Sequence, residues 1–217
     1  MGKRKARDYY RSEGWEVDAI MEQDRSSFLG LRNLPQPLMH LYHWESPTIT
    51  HGYFSSPRAL LQRAKEEGIP FAPRPTGGGV TLHGHDATFS LFVPAHSSLY
   101  STDTMKNYRW VHTWLMEILT PFFSDLSMCE EKKEQRAFDF CSYPVSGDIM
   151  QGKRKLVGGA QRRSRYGWMH QGSLFLASPP DILTSLVGEE GVAKAPPDLP
   201  ILRESIYQAM IQSWRSS

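Results

Sequence analysis

The 217-residue chain carries a formal net charge of +2 and is 40% hydrophobic, 12% aromatic and 22% charged, a composition typical of a folded domain. The near-neutral charge excludes a polycation that binds phosphates through its overall charge, and the length fits one domain better than two. Two cysteines, Cys129 and Cys141, with no signal-peptide pattern and no apolar run of about 18 residues, predict a cytoplasmic protein with free thiols and without a membrane span.

The first third of the chain alternates helix and strand patterns. A helix is predicted over residues 18–32, where an aspartate can cap the start and prolines follow the end. Residues 39–44 and 48–54 are typical of two strands, and the short connection between them predicts a hairpin. Residues 58–67 are predicted to be helical, with Ser56 as a hydroxyl N-cap, a proline at the first helical position and a glycine past the end.

The rest of the chain continues this alternation, which predicts a mixed α/β or α+β sheet with helices packed on it. We expect a strand over residues 88–93, an amphipathic helix over 102–123, strands over 155–163 and 168–177, and a short helix after Pro179 and Pro180. We expect a single domain over 1–217, with a core at about 15–180, a C-terminal linker and helix at 188–215, and no accessory domain.

Three consecutive glycines, Gly77, Gly78 and Gly79, follow Arg74 and precede a strand-like segment. Backbone without Cβ atoms lets amide groups approach an anionic ligand closely, although the same glycines also suit a plain turn. A second glycine pair follows Lys155 in a segment that is also basic. These two segments predict two walls of one pocket for a negatively charged group.

Lys155 is the first candidate for chemistry. It ends a basic run just before an apolar strand segment, so its ammonium can reach a carboxylate or phosphate oxygen and stabilise charge that develops during acyl or phosphoryl transfer. A solvated lysine on a basic turn explains the residue equally well. The basic stripe over residues 153–165 also allows an RNA-binding module, with Tyr166 and Trp168 as stacking groups.

Two histidines and a cysteine are the other candidates. His83 and His170 lie near glycines at predicted strand ends, where an imidazole can bind a ligand, carry a proton or be a satisfied core residue. His83, His85 and Asp86 are close in sequence, but no matching Cys/His pair completes a ligand pattern, so no structural zinc is predicted. Cys141 lies in a turn-prone segment beside basic groups that favour a thiolate nucleophile, whereas most free cysteines are buried and inert.

Three segments resemble the lipoate-protein ligase A and octanoyltransferase family. The block RPTGGGVTLHGHDATFSL (74–91) resembles the family's ligand loop, and KLVGGAQRRSRYGWMHQGSL (155–174) resembles its lysine segment and the strand that follows. Upstream, WESPTITHGYF (44–54) is similar to an early family strand, with Phe54 where a glutamine is usual nearby. The segments stand in family order and cover most of residues 41–177.

The resemblance implies the catalytic-domain fold shared with biotin-protein ligases, an α/β (α+β) fold with a mixed, mostly antiparallel sheet flanked by helices. Family members attach a lipoyl or octanoyl group to one lysine of a lipoyl domain. Such domains occur in 2-oxoacid dehydrogenases and in the glycine-cleavage H protein. Under this resemblance we expect no nucleic-acid partner and no membrane partner.

The resemblance also assigns roles to residues. Lys155 matches the lysine that contacts the acyl carbonyl and the leaving group, and Cys141 falls where one branch keeps its nucleophile, in a C-x-x-P-x-x-x-D context. Gln171 stands at the second histidine position of the family's "HHGT" segment, which leaves the role of this position open. The implied substrate-binding residues are Arg74, Thr76, Gly77, Gly78, Gly79, His83, Gly158, Gly159, Ala160, His170, Gly172 and Ser173, with no metal-ligating residue.

Two branches of the family differ in chemistry, and the sequence leaves them open. A ligase activates free lipoate with ATP and Mg²⁺ as lipoyl-AMP before the acceptor lysine attacks. A cysteine octanoyltransferase takes octanoate from acyl carrier protein onto its thiol, without ATP, and passes it on. Cys141 and the short C-terminus favour the transferase, whereas Gly79, in place of an arginine found in many transferases, favours the ligase. A non-catalytic lipoate or biotin binder remains a further alternative.

Overall fold

The computed structural model describes residues 7–130, 144–177, 179–187 and 199–216, which contain five α-helices and two β-sheets. The helices are α1 (Val17–Leu29), α2 (Arg58–Glu66), α3 (Thr104–Leu119), α4 (Asp181–Val187) and α5 (Leu199–Ser216), with a short 3-10 helix (Gly30–Asn33) after α1. Within these described ranges, no helix combines the length and the apolar character that crossing a bilayer requires.

A sheet of seven strands forms the centre of the molecule. In spatial order its strands are β1 (Asp8–Ser12), β2 (Leu38–Tyr42), β6 (Asp86–Pro94), β10 (Gly167–Phe175), β9 (Arg154–Ser164), β8 (Ile149–Gln151) and β7 (Leu126–Met128). The β1–β2 pair is parallel, and the pairs from β2 through β7 are antiparallel. The prediction of a mixed, mostly antiparallel sheet flanked by helices is confirmed.

A second, small sheet lies apart from the large one. It contains β4 (Phe71–Pro73), β3 (Thr48–His51) and β5 (Val80–His83), with β3 in the middle. Helices α2 and α4 cover it with apolar side chains. The segment that connects β4 to β5 contains the glycines of the predicted pocket, so the small sheet holds both ends of that segment.

The two faces of the large sheet have different partners. Helices α3 and α5 pack on one face and bury the main core, which includes Phe89, Leu91, Val111, Leu115, Trp168, Met210 and Trp214. Burying such side chains contributes about 1.5–3 kcal/mol each, which makes this face the principal source of stability. On the other side, α1 packs against the end of β2 and against β4, and so joins the two sheets.

Most predicted elements are confirmed, but the hairpin over residues 39–54 is wrong. Strands β2 and β3 belong to different sheets. The reason is that β1 and β6 occupy both edges of β2, so that β3 pairs with β4 and β5 instead. The indole N–H of Trp44 donates to Thr88 Oγ1 at 3.0 Å and holds the chain at the large sheet just before it crosses to the small one.

The start of α2 also differs from the prediction. Pro57, not Ser56, occupies the N-cap position, and no side chain caps the helix. The Arg58 N–H instead donates to the Ser56 carbonyl at 2.8 Å. The predicted C-terminal signal is confirmed, since Gly68 adopts φ +70°, the left-handed conformation that glycine tolerates best.

Candidate active site

The Arg74 side chain hydrogen-bonds both to the small sheet and to the backbone of the glycine segment. We call residues 74–79 the glycine loop. One guanidinium nitrogen donates to Thr50 Oγ1 at 2.9 Å and to Thr81 Oγ1 at 3.0 Å, both in the small sheet. The other nitrogen donates to the carbonyls of Gly77 at 3.1 Å and Gly79 at 2.8 Å. Arg74 is buried and shapes the loop through these bonds, and its assignment to substrate binding stays a prediction.

The tip of the glycine loop lies against the large sheet. Gly78 has φ +92°, and a Cβ atom added there would stand 3.6 Å from the Ala160 Cβ in β9 and 3.2 Å from the Arg74 guanidinium. The Gly52 N–H donates to the Gly79 carbonyl at 3.2 Å from the end of β3. The loop therefore bridges the two sheets, which brings it together with the glycine-bearing strand as the sequence predicts.

Lys155 forms a buried ion pair with Asp148, the aspartate that ends the C-x-x-P-x-x-x-D segment and to which the sequence assigned no role. Its Nζ lies 2.8 Å from Asp148 Oδ2, and both side chains are at most 5% exposed. The Asp148 carboxylate also accepts from the Tyr108 hydroxyl at 2.7 Å and from the Val145 N–H at 2.7 Å. A buried charge is costly unless it is paired and hydrogen-bonded, and these three donors meet that requirement.

Gly158 leaves the space through which the Lys155 side chain passes. A Cβ atom at Gly158 would lie 2.2 Å from Lys155 Cε and 2.5 Å from its Nζ. Gly158 and Ala160 point to the same face of β9 because strand residues alternate, and they are about 7 Å apart along the strand. The Lys155 ammonium and the glycine loop thus face the same short stretch of β9.

Tyr108 of α3 hydrogen-bonds both to the edge of β9 and to Asp148. The β8–β9 ladder ends at Val157, and beyond it the Gly159 N–H donates to the Tyr108 hydroxyl at 3.2 Å. The same hydroxyl donates a hydrogen bond to Asp148 Oδ1 at 2.7 Å. Tyr108 stands among apolar residues at helical spacing, and no local sequence signal distinguishes it from a packing residue.

His170 lies on the opposite face of β10 from the glycine loop, within an aromatic cluster. Its ring stacks on Phe89 at 5.7 Å and contacts Tyr108 and His112, each at 5.3 Å between centroids. A Cβ at Gly159 would lie 2.3 Å from His170 Nε2, which explains that glycine through packing. The assignment of His170 to substrate binding stays a prediction.

Burial lowers the pKa of both His112 and His170, two of the buried histidines, and favours their neutral forms. Burial lowers the pKa of His112 to about 4, which the Asp148 charge and the Gly147 carbonyl oppose only in part. Burial, with His112 nearby, lowers the pKa of His170 well below its usual range. His112 Nδ1 donates to the Gly147 carbonyl at 2.6 Å, beside Asp148. Sequence analysis missed His112, which lies on a regular apolar helix face.

His83 belongs to a chain of hydrogen bonds under the glycine loop. Its Nδ1 donates to Asp86 Oδ2 at 2.7 Å, and its Nε2 lies 2.8 Å from the Thr50 hydroxyl that Arg74 also contacts. Burial alone would raise the pKa of Asp86, but the His83 imidazole, with help from His85, holds that pKa well below its usual range. Among the described residues, no group of three His, Cys, Asp or Glu side chains could hold a metal ion.

Of three neighbouring residues of β10, Gly172 and Ser173 are predicted to bind substrate, and the role of Gln171 is open in the sequence. Gln171 accepts a hydrogen bond from the Thr76 hydroxyl at 2.6 Å, which fixes the glycine loop to the large sheet. Gly172 is required for packing, because a Cβ there would lie 2.4 Å from the Phe89 ring. Ser173 is buried opposite Gly158 in the β9–β10 ladder. Cys141 lies outside the described residues.

The basic stripe over residues 153–165 is partly used within the protein. The Arg162 guanidinium lies 4.9 Å from the ring centroids of both Phe28 and Tyr53 and donates to the Pro75 carbonyl at 3.0 Å. Trp168 is fully buried and cannot stack on a base. This geometry disfavours the RNA-binding alternative.

Known proteins resemble this chain both in sequence and in fold. Residues 19–202 match the family model of the lipoyl protein ligase A/B catalytic domain. Octanoyltransferase LipM of Kyrpidia tusciae is 29% identical over 164 residues, which are 70% of this chain and 58% of the relative. LipM of Geobacillus kaustophilus is 30% identical over 161 residues, or 69% of this chain and 58% of the relative. The chain thus spans less than two thirds of the length of these relatives.

Solved structures show the fold. Protein Ta0514 of T. acidophilum superposes with a TM-score of 0.80 at 19% identity, over 98% of this chain and 85% of that one. A lipoate-protein ligase A bound with ATP gives a TM-score of 0.73 at 18% identity, over 97% of this chain and 85% of the other. Because the family model covers most of the sequence and these structures share its architecture, the chain belongs to the lipoyl protein ligase A/B catalytic-domain family.

Proposed function

We propose that this protein transfers a lipoyl or octanoyl group to a lysine of a lipoyl domain. The observation that carries the proposal is the Lys155–Asp148 ion pair laid across Gly158, on the same face of β9 as the glycine loop. Family membership supports the same reaction class. The partner class is supported by a solved assembly of a bi-partite lipoate protein ligase with its E2 lipoyl domain from Thermoplasma acidophilum.

Lys155 supplies charge stabilisation in this scheme. Attack on an acyl carbonyl places negative charge on the oxygen, and an ammonium group fixed in a buried site stabilises that oxyanion better than water does. The Asp148 carboxylate at 2.8 Å favours the ammonium form and limits the positions that Nζ can take. Lys155 therefore acts as a fixed cation and not as a nucleophile.

We favour the octanoyltransferase branch, because the sequence relatives named above are octanoyltransferases. In this branch the Cys141 thiolate attacks the carbonyl carbon of a carrier-bound octanoyl thioester. The carrier sulfur leaves and takes a proton. The neutral amine of the acceptor lysine then attacks the Cys141 thioester, an amide bond forms, the amine gives up its proton, and the cysteine thiol is restored.

The ATP-dependent ligase branch is the second candidate, and the fold likeness to an ATP-bound ligase favours it. In this branch lipoate and ATP form lipoyl-AMP, with Mg²⁺ on the phosphates, and the acceptor amine displaces AMP. The glycine loop would then face the phosphate that links the acyl group to the nucleotide. Acyl carrier protein is a partner in the first branch and has no role in the second.

Intact-mass measurement of the protein separates the branches. Wild type incubated with octanoyl-carrier protein gains the mass of one octanoyl group, whereas Cys141→Ser does not gain a thioester and no longer acylates a lipoyl domain. The control is Cys129→Ser, which leaves both signals unchanged. Full activity of Cys141→Ser with lipoate and ATP, and none with octanoyl-carrier protein, would assign the ligase branch instead. A wild type that is inactive with both donors would refute the proposed function.

A further inference from the structure

The Gln171 side chain connects the glycine loop to helix α1 through buried hydrogen bonds. Its Oε1 accepts from the Thr76 hydroxyl at 2.6 Å and from the Thr76 N–H at 3.3 Å. Its Nε2 donates to Asp24 Oδ2 at 2.7 Å. Gln171 is 4% exposed and Asp24 is fully buried, so water does not compete for these bonds.

Asp24 determines which way the Gln171 amide points. Its Oδ1 accepts from His40 Nδ1 at 2.7 Å, and its Oδ2 faces the hydroxyls of Tyr42 and Ser90 as well as the Gln171 amide. An ionised carboxylate can only accept hydrogen bonds. The amide must therefore present its NH₂ group to Asp24, which leaves its oxygen to receive both donors of Thr76.

Thr76 is the last residue of the glycine loop that carries a side chain. Gly77, Gly78 and Gly79 have no side chains to hold them, so the anchors on either side set their position. Arg74 supplies one anchor through the carbonyls of Gly77 and Gly79. The Gln171–Thr76 bonds supply another, and they reach the loop from the strand that pairs with the Lys155 strand.

We propose that Asp24 and Gln171 are positioning residues that hold the glycine loop in register with Lys155. Asp24 acts only through the amide of Gln171. This role rests on the proposed acyl transfer, in which the loop borders the activated acyl group. The loop depends on the direction of this hydrogen bond, in which the Gln171 amide of β10 donates and the Asp24 carboxylate of α1 accepts.

Asp24→Asn tests this polarity with almost no change in shape. Because His40 donates to Oδ1, the introduced amide keeps its oxygen on that side and sets its NH₂ group in place of Oδ2, opposite Gln171. Gln171 must then turn its oxygen to the introduced NH₂ group, which sets its own NH₂ group against the Thr76 N–H. The double variant Asp24→Asn with Gln171→Glu restores acceptors for both donors, since a carboxylate accepts from the introduced amide and from Thr76 together.

The measurements are hydrogen exchange of the Thr76 amide and KM for octanoyl-carrier protein. We expect Asp24→Asn to raise both about tenfold, as loss of one buried hydrogen bond implies, and the double variant to return both to within about threefold of wild type. Ser90→Ala is the matched control, because it removes another donor to Asp24 but leaves the Thr76 bonds intact. It should lower the melting temperature without changing Thr76 exchange.

Two results would overturn the proposal: unchanged Thr76 exchange in Asp24→Asn, or a folded double variant that restores neither exchange nor KM. If Asp24→Asn does not fold, Thr76→Val, which removes the hydroxyl donor from the loop side, must raise KM by a similar factor. Hydrogen exchange of the Thr76 amide does not depend on catalysis. An inactive wild type would therefore refute the proposed function, but the exchange measurement would still test the role of Asp24 and Gln171. If the wild type is active but Thr76 exchange is the same in Asp24→Asn, only the positioning role of Asp24 and Gln171 would be refuted.

Discussion

At the scale of single residues, the site depends on the space that Gly158 leaves. Lys155 crosses this glycine so closely that a methyl group would overlap its Cε and Nζ. Lys155 therefore reaches Asp148 only because residue 158 has no side chain. The glycine is explained by this crossing and not by an unusual backbone conformation.

Gly158→Ala should displace the Lys155 ammonium and lower kcat/KM about 100-fold, the loss typical when one group that stabilises an oxyanion is misplaced. The fold should survive, because a flexible lysine end can move aside. Steady-state transfer to a lipoyl domain and a melting curve measure both effects. Gly30→Ala, where a Cβ meets nothing within 4 Å, is the control and should match wild type. Equal activity of the two variants would contradict the account.

Sequence reasoning identified residues whose signal is local and missed those whose role arises from long-range contact. The charge of Lys155 and the consecutive glycines of the glycine loop are visible in the sequence itself. Asp148 stands in the quoted C-x-x-P-x-x-x-D segment, but only the folded chain shows that it pairs with Lys155 and meets Tyr108, which is 40 positions away. The Gln171–Asp24 contact, across 147 positions, is of the same kind.

At the scale of secondary structure, α3 carries Tyr108 and His112 to the site from a capped start. The Asp103 carboxylate accepts from the N–H groups of Met105 at 2.8 Å and Lys106 at 3.2 Å. These donors have no partner within the helix, so the cap fixes where α3 begins. Tyr108 follows one turn later.

Asp103→Ala should lower the free energy of unfolding by about 1 kcal/mol, the usual value of an N-cap. Urea denaturation followed by circular dichroism measures the change. Asp103→Asn retains an acceptor and should stay within about 0.5 kcal/mol of wild type. If the alanine and asparagine variants were equally stable, the cap would not determine the start of α3.

The helices were predicted well, whereas the short strands β1, β4, β7 and β8 and the pairing of β2 with β3 were not predicted correctly. Helices α1, α2, α3 and α5 follow apolar periodicity, which acts within a few residues, although neither α1 nor α2 has the predicted side-chain N-cap. The failure of the hairpin over residues 39–54 has another origin, since the edges of β2 are filled by β1 and β6, strands far away in the sequence. Local turn length alone could not reveal that competition.

At the scale of the whole molecule, the buried imidazoles link stability to pH. The pKa of His112 falls from 6.5 to about 4 on folding, so the folded state disfavours the protonated ring. The stability that depends on a neutral His112 is complete above pH 6.5 and is lost as the pH falls from 6.5 toward 4.

Wild type should therefore lose about 3 kcal/mol more than His112→Asn between pH 6.5 and pH 4, measured by urea denaturation across that window. The asparagine amide can still donate to the Gly147 carbonyl but does not titrate, which makes it the matched variant. Parallel curves for the two proteins would show that His112 is not the group that links pH to stability.

The two sheets, joined by α1 and by the glycine loop, place a buried cation opposite a backbone loop. Under the proposed function, this cation, Lys155, stabilises the oxyanion during acyl transfer to a lipoyl domain. The most direct test is the intact mass of a lipoyl domain after incubation with octanoyl-carrier protein, or with lipoate and ATP. Wild type should add one acyl group per domain, and Lys155→Ala should do so at least about 100-fold more slowly. Equal rates for the two proteins would contradict the account.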